Sequence, residues 1–271
     1  MPYDLQLEVK TAQVADLMRR IGGFHEIKVL PAIGSPREWE YRNRIAVHIE
    51  DGQVGFHHRK SRKIVPVSSC PIAAPEINAR LAEVAKRPPA GSSRLTIRPA
   101  GDVRGFSQVN DSAAPLLREV VAGLVPPSGA HLIDAYCGSG FFAKHLRDRF
   151  SRTTGIEWSE PAVRMASTDA IENETYLRAA VENVLRSTLS SPPLADSTLI
   201  VDPPAEGLPD DVVHIILDAT PAHLVYVSCD PATLARDLKK LHAAYDIQVV
   251  QPVDMFPQTG EIEVAVSCRK R

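Results

Sequence analysis

The feature that most constrains the fold is an alternation of strand-like and helix-like stretches between residues 131 and 267. Short runs rich in β-branched residues are separated by segments whose apolar residues recur at helical spacing. This alternation predicts an α/β fold, with a mostly parallel sheet covered by helices on both faces. The strands are expected at 131–135, 153–157, 176–180, 198–201, 224–227, 247–253 and 261–267.

The first 115 residues predict a separate, smaller α+β region, so that the α/β domain spans residues 116–271. A helix is expected over residues 4–21, where Gly22-Gly23 ends an apolar pattern of helical spacing. Short strand-like runs with turn signals follow at 27–30, 44–49, 53–57 and 63–67.

The charge of the chain is unevenly distributed, although its net charge is only −2. Residues 1–100 hold 16 Lys+Arg against 10 Asp+Glu, and the remainder holds 31−16=15 against 33−10=23. If the chain binds nucleic acid, this basic front is expected to hold it, with Arg42, Arg59 and Lys60 contacting phosphates beside the aromatic residues Tyr41 and Phe56. A solvated basic face is the alternative.

Composition excludes several classes of protein. The cysteines lie far apart and form no C-x-x-C pair, which excludes a disulfide framework and a complete metal site within the chain. The start is not a signal peptide, and no apolar run reaches the length of a membrane span. We therefore expect a protein of the reducing cytoplasm. The cysteines are Cys70, Cys137, Cys229 and Cys268.

Cys229 stands between a predicted strand and a predicted helix. Asp230 and Pro231 follow it, and they suit the cap and the first turn of that helix. Ligands of open α/β sheets gather at this edge, and a helix start favours the thiolate. A small buried cysteine that packs under the helix is the alternative.

Two more segments place chemistry at the same predicted edge. Asp134 to Gly140 form a glycine-containing loop after the first strand, and Glu157 ends the second strand, where an acid can accept both hydroxyls of a ribose. Ala143 stands at the third glycine position of a pyrophosphate fingerprint, where alanine is also tolerated. Together with the final hairpin-like pair of strands, this pattern fits a site for S-adenosylmethionine better than one for a dinucleotide. Asp202, before two prolines, ends the fourth strand.

These stretches together resemble the bacterial RNA uridine-C5 methyltransferases, which make 5-methyluridine in tRNA or 23S ribosomal RNA. The resemblance covers roughly residues 100–268 and implies a Rossmann-like, class I S-adenosylmethionine-dependent fold, preceded by an RNA-binding region. Tyr41-Arg42-Asn43 and the segment from Gly55 to Cys70-Pro71 also resemble the RNA-binding part of the family. The ordered motifs are Phe106 to Asn110, Asp134 to Gly140, Asp202-Pro203-Pro204, Tyr226 to Asp237 and Asp254 to Glu263.

The resemblance implies a mechanism and roles for individual residues. Cys229 would add to uracil C6 and so activate C5, and Glu263 would later remove the C5 proton. Phe106 would contact the flipped uracil. The residues implied in binding the cofactor or in positioning the base are Gln108, Tyr136, Gly138, Glu157, Asn183 and Asp202.

The chain also departs from the family pattern. Glu261 stands where many relatives have histidine, and we expect it to raise the pKa of Glu263. Phe141 replaces a small polar residue near the methionine part of the cofactor, and Trp158 either stacks on adenine or fills the core. Many ribosomal RNA members carry an N-terminal barrel and an iron–sulfur cluster, of whose four cysteines only Cys70 has a counterpart here. Two explanations fit this difference: the natural protein is a compact form without a cluster, or its true start lies upstream of Met1.

The sequence therefore predicts an RNA uridine-C5 methyltransferase, with 23S ribosomal RNA favoured over tRNA as substrate. An RNA cytosine-C5 methyltransferase is one alternative, but its cysteine motif differs from Ser228-Cys229-Asp230-Pro231. An RNA-binding or folding factor that has lost efficient catalysis is the other alternative. No metal ligand set and no protein partner are predicted.

Overall fold

A computed structural model describes residues 1–58, 60–91, 94–100, 108–190 and 196–271. The described residues divide into two units. The large unit contains Met1–Gly34 and Ala114–Arg271, and the small unit contains residues 35–100 and 108–113. The division differs from the predicted region 1–115, because the N-terminal helix packs with the large unit rather than with the small one.

A seven-stranded sheet forms the large unit, with the order β10-β11-β9-β8-β5-β6-β7. The strands β5 to β9 are mutually parallel, whereas β11 runs antiparallel to both β9 and β10. The predicted α/β class with a mostly parallel sheet is confirmed. The strands are β5 (Gly129–Ala135), β6 (Phe150–Glu157), β7 (Glu174–Arg178), β8 (Ser197–Val201), β9 (His223–Ser228), β10 (Tyr245–Val253) and β11 (Glu263–Lys270).

Helices cover both faces of this sheet. One core cluster joins residues of four helices (α1, α6, α7 and α8) to inward-facing strand residues such as Ile133. Its neighbour Leu132, equally buried, points to the opposite face, since successive side chains of a strand alternate. The helices of the large unit are α1 (Tyr3–Leu17), α3 (Ala114–Leu124), α4 (Ala143–Leu146), α5 (Glu160–Ser167), α6 (Val181–Leu189), α7 (Asp210–Ala219) and α8 (Pro231–Leu241).

The N-terminal helix buries a face that its apolar pattern does not indicate. Gln6, Lys10 and Val14 are buried, while the apolar Leu5 and Val9 are exposed. The polar residues are buried because the turn between β10 and β11 offers them partners, which local periodicity cannot reveal. After α1, a wider turn (Met18–Gly22) ends at Gly23, whose left-handed φ of 78° confirms the predicted stop.

The small unit is a four-stranded antiparallel sheet with one helix. Its strands run in the order β3-β2-β1-β4, and a turn at Asp51-Gly52 joins β1 to β2. Cys70 belongs to the core of this unit, where its backbone N–H and C=O bond the side-chain amide of Asn78. The elements are β1 (Ile45–Glu50), β2 (Gln53–His57), β3 (Ile64–Pro66), α2 (Pro75–Lys86) and β4 (Arg94–Ile97).

Two segments differ from the sequence-based prediction. Residues 27–30 form no strand but a single parallel bridge, from Val29 to Val250 of β10. Helix α6 was not predicted, although its apolar residues Val181, Leu185 and Leu189 are buried at helical spacing. In the described part of the chain, no helix is long and apolar enough to cross a membrane.

Candidate active site

Cys229 lies where β9 ends and α8 begins, as the sequence predicts. Asp230 caps the helix: its carboxylate accepts hydrogen bonds from Ala232 N at 2.8 Å and from Thr233 N at 3.0 Å. Ser228 braces the same turn, because its hydroxyl donates to Asp230 O and accepts from Asp230 N. Cys229 is exposed at this turn, so the packing-only alternative for this cysteine is wrong.

Glu263 is brought beside Cys229 by strand pairing. Val264 of β11 pairs with Ser228 of β9, so that one step further along the antiparallel ladder places Glu263 opposite Cys229. Glu263 is only 5% exposed. Burial raises the pKa of the Glu263 carboxyl to about 7, and it is this burial, rather than the exposed Glu261, that causes the shift.

A second carboxylate completes this group. Asp202 follows β8, and both burial and the charge of Glu263 raise the pKa of Asp202 well above its usual value. Burial and the two carboxylates also raise the pKa of Cys229 to about 12. The expected preference for the thiolate is therefore wrong for the ligand-free protein, because partial desolvation of the thiol, together with the nearby carboxylates, outweighs the helix start.

The loop after β5 has the backbone geometry of a ligand-binding turn. Tyr136, Gly138 and Gly140 have φ values of 65°, 55° and 83°, the left-handed conformation that favours glycine. Gly138 N donates to Glu157 Oε2 at 3.1 Å, and Ser159 N donates to Glu157 Oε1 at 2.8 Å. Each Glu157 oxygen keeps one further acceptor position, which suits the two hydroxyls of a ribose.

Beside this loop lies a cavity of about 200 Å³ that opens along α6. Trp158 lines it and is 74% exposed, which excludes the core-filling alternative and leaves a flat face for a base. Tyr136 Oη is buried without a hydrogen-bond partner among the described residues, as is Asp134 Oδ1. Such orphaned polar atoms indicate that a polar ligand completes the site. The lining residues are Tyr136, Glu157, Trp158, Ala179, Ala180, Val181 and Glu182.

Asp134 interacts electrostatically with both groups of residues described above, through Asp202 beside Cys229 and through Glu157 beside the loop after β5. Its Oδ2 accepts a hydrogen bond from Ala143 N at 2.9 Å, which ties the end of β5 to the start of α4. Burial, with smaller contributions from the charges of Asp202 and Glu157, raises the pKa of Asp134 to about 8. Three carboxylates thus interact along one sheet edge, so this edge favours a cationic ligand.

Comparisons with known proteins agree with this geometry. A family model for tRNA (uracil-5-)-methyltransferase matches residues 193–271. The crystal structure of a Pyrococcus abyssi tRNA (uracil-54, C5)-methyltransferase in complex with S-adenosyl-L-homocysteine has the same fold, with a TM-score of 0.72, 24% identity, and coverage of 99% of this chain and 84% of that one. A Bacillus cereus protein, named an uncharacterized RNA methyltransferase, is 28% identical over 98% of this chain and 78% of its own length.

An uncharacterized RNA methyltransferase of Bdellovibrio bacteriovorus is 30% identical, over 97% of this chain and 74% of its own length. The chain belongs to the RNA uracil-5-methyltransferase family. It is therefore an enzyme, as expected, and the alternative of a binding factor that has lost efficient catalysis is not supported.

The structure brings half of the predicted site residues of this RNA methyltransferase to one edge of the sheet. Cys229, Glu263 and Asp202 interact at one end of it, and Tyr136, Gly138 and Glu157 surround the loop and cavity at the other. Asn183 is exposed on the first turn of α6, where its neighbour Glu182 lines the cavity instead. Glu182 was not predicted as a site residue, because the helix that carries it, α6, was not predicted.

The predicted RNA contacts lie in the small unit of the methyltransferase or outside the described residues. The backbone carbonyl of Gln108 accepts a hydrogen bond from Asn43 Nδ2 at 2.9 Å, and the backbone of Arg42 bridges to Ala73 and Asn110. Lys60 is exposed just beyond β2. Phe106 and Arg59 lie outside the described residues. The roles of all five predicted residues stay predictions.

One further residue supports the site without facing it. Asp237 of α8 is fully buried, and its Oδ2 accepts hydrogen bonds from Leu208 N and from the Tyr226 hydroxyl, both at 2.8 Å. Arg236 pairs with the other oxygen and also donates to Glu206 O at 2.8 Å. Helix α8 therefore holds the loop that follows Asp202.

Proposed function

We propose that this RNA methyltransferase forms 5-methyluridine in 23S ribosomal RNA through a covalent bond between Cys229 and C6 of the target uracil. The observation that carries the proposal is the placement of Glu263 opposite Cys229 across β9 and β11. A nucleophile and a base on facing strand positions can act on adjacent atoms of one planar ring.

The first part of the reaction belongs to Cys229. Uracil C5 is a weak nucleophile, and it becomes reactive when a thiolate adds to C6 and moves electrons onto C5 and O4. The thiol releases its proton to water, and the new S–C6 bond takes the place of the C5=C6 double bond. Partial desolvation and the charges of Glu263 and Asp202 raise the pKa of Cys229 to about 12 in the free protein, so the reaction requires bound ligands that stabilise the thiolate.

S-adenosylmethionine, when bound, supplies the methyl group as an electrophilic carbon on a positively charged sulfur. The residues that would hold it are Glu157 at the ribose hydroxyls, Trp158 at the base, and the Tyr136–Gly138 turn near the sulfur. The carboxylates Asp134 and Asp202 favour a cation at this edge. The buried, unpaired Tyr136 Oη supports this fit.

The last part of the reaction belongs to Glu263. Once C5 has taken the methyl group it still carries its original hydrogen, and the Glu263 carboxylate removes that hydrogen as a proton. The electrons of the C5–H bond then form the C5=C6 double bond, while the C6–S bond breaks and releases the Cys229 thiolate. A pKa near 7 suits this role, because the carboxylate is both available and sufficiently basic at neutral pH.

The substrate follows from the small unit and from the resemblance. Its exposed Lys60, with the neighbouring basic residues of the β2–β3 hairpin, suits phosphate contacts. Cys70-Pro71 resembles ribosomal RNA members of the family, which favours 23S ribosomal RNA over tRNA. In this structure Cys70 has a packing role in the small unit.

The decisive experiment measures transfer of a labelled methyl group from S-adenosylmethionine into unmodified 23S ribosomal RNA and unmodified tRNA. Mass spectrometry then identifies the modified nucleoside. We expect 5-methyluridine in the ribosomal RNA. Methylation confined to tRNA contradicts the substrate, and 5-methylcytidine contradicts the reaction.

A further inference from the structure

Arg118 is a partly buried arginine near the glycine-containing loop that follows β5. It has no role in the mechanism described above. It lies on α3, and its guanidinium carbon is 5.5 Å from the centroid of the Phe141 ring. Its Nε is buried and has no hydrogen-bond partner among the described residues. Buried charged donors are normally bonded, so this arginine is prepared for an acceptor that the described residues do not provide.

The position of Arg118 is fixed by the loop after β5. Phe141 directly follows Gly140, and its backbone N–H donates to Cys137 O at 3.4 Å. The Phe141 ring therefore keeps a defined place at the start of α4, and its face attracts the guanidinium. Helical side chains lean toward the N-terminus of their helix, which for Arg118 is the direction away from Leu124.

The sheet order indicates which part of the cofactor lies near Arg118. The nucleoside cavity adjoins the ends of β6 and β7, whereas Cys229 ends β9, and the strands between them are β5 and β8. The reacting methyl carbon has to lie between the cavity and Cys229. The amino-acid tail, which branches from the same sulfur, then falls beside the loop after β5.

We propose that Arg118, supported by the face of Phe141, binds the carboxylate of the amino-acid tail of S-adenosylmethionine. This inference rests on the proposed nucleoside site. The edge already holds the carboxyl groups of Asp134 and Asp202, whose pKa values are raised by burial and by neighbouring carboxylates, so a carboxylate ligand is favoured here only where a cation faces it. The planar fork of arginine matches a carboxylate with two parallel hydrogen bonds.

The test compares two ligands that differ only in the carboxylate. Binding of S-adenosylhomocysteine and of its decarboxylated analogue, which keeps the amine, is measured by titration calorimetry. We expect Arg118→Met to weaken S-adenosylhomocysteine about 10-fold to 100-fold, the usual range for a lost charge-assisted hydrogen-bond pair, and to change binding of the analogue less than about 2-fold. Arg118→Lys keeps the positive charge but lacks the planar guanidinium. Its affinity for S-adenosylhomocysteine should lie between those of the unaltered protein and of Arg118→Met.

A matched control is Arg164→Met, which removes an exposed arginine of α5 that pairs with Glu160. It should leave the affinity for both ligands unchanged. Equal weakening of both ligands by Arg118→Met, or no weakening of S-adenosylhomocysteine, overturns the inference. Failure of the unaltered protein to bind either ligand refutes the nucleoside site itself, which is a separate result.

Discussion

Lys10 Nζ lies 2.6 Å from Asp254 Oδ1, and both side chains are almost completely buried. Lys10 also donates to Phe256 O at 3.0 Å, and Tyr3 donates to Asp254 Oδ2 at the same distance. This ion pair therefore fastens helix α1 to the turn between β10 and β11. That turn leads directly into Glu263, so the N-terminal helix belongs to the framework of the active site.

Lys10→Met should lower the free energy of unfolding by about 3–5 kcal/mol, because it leaves Asp254 buried without its cation. Chemical denaturation monitored by circular dichroism measures this. Addition of Asp254→Asn to the same chain should recover part of the loss, since the uncompensated charge disappears. Lys239→Met, at an exposed lysine of α8, is the control and should change stability by less than about 0.5 kcal/mol. A similar loss in both single variants would contradict a special role for the buried pair.

Cys229→Ala should abolish methyl transfer while it leaves the fold and cofactor binding intact. The side chain is exposed and takes no part in the core, so its removal costs little stability. We expect a fall in turnover of at least about 1,000-fold, since the covalent route is lost. The measurement is labelled methyl incorporation into RNA, with S-adenosylhomocysteine binding as the control. Residual activity within 10-fold of the unaltered enzyme would falsify the nucleophile assignment.

Glu263→Gln should trap the enzyme on its RNA. Glutamine keeps the shape of the side chain but cannot take the C5 proton, so the methylated adduct forms and is not released. A denaturing gel should then show a protein–RNA band that carries the labelled methyl group. The double variant Cys229→Ala with Glu263→Gln is the control, and it should show no such band. Normal turnover without a trapped species would remove Glu263 from the mechanism.

The buried Glu263 also makes stability dependent on pH. Its pKa is raised in the folded protein from 4.5 to about 7, so the folded state holds the proton more tightly than the unfolded chain does. The stabilisation is fully present below about pH 4.5 and disappears as the pH rises through about 7, a loss of about 3 kcal/mol shared with the coupled Asp202. Denaturant unfolding from about pH 5 to about pH 8 should show this loss, and Glu263→Gln should reduce it. Parallel pH profiles for the two proteins would exclude this linkage.

The hydrogen bonds that Asp237 accepts should contribute differently to stability and to activity. Tyr226→Phe removes one of its hydrogen bonds and should cost about 1–2 kcal/mol, with little effect on activity. Asp237→Ala also releases Leu208 N and the arginine contact, so the loop after Asp202 loses its anchor. We expect a larger loss of stability and a clear fall in kcat/KM. Equal effects of the two variants on kcat/KM would argue against loop positioning.

Some site residues were predictable because their signals are local. The Asp230 cap and the left-handed Gly138 and Gly140 each depend on a few neighbouring residues, and the structure agrees. Glu182 was missed for a local reason too, since the helix that carries it was not recognised. The exposure of Trp158 was not predictable. Stacking on adenine and filling the core are both compatible with the residues next to it in the sequence.

The sequence by itself determined the alternation of strands and helices, the stop at Gly23 and the turn that presents Cys229. These depend on spacing, capping and backbone freedom within a few residues. Only the tertiary structure decided that α1 buries Lys10, that Glu263 faces Cys229 and that the pKa of this thiol is raised rather than lowered. Each of these outcomes arises from groups far apart in the chain, whose distances and burial are set by packing.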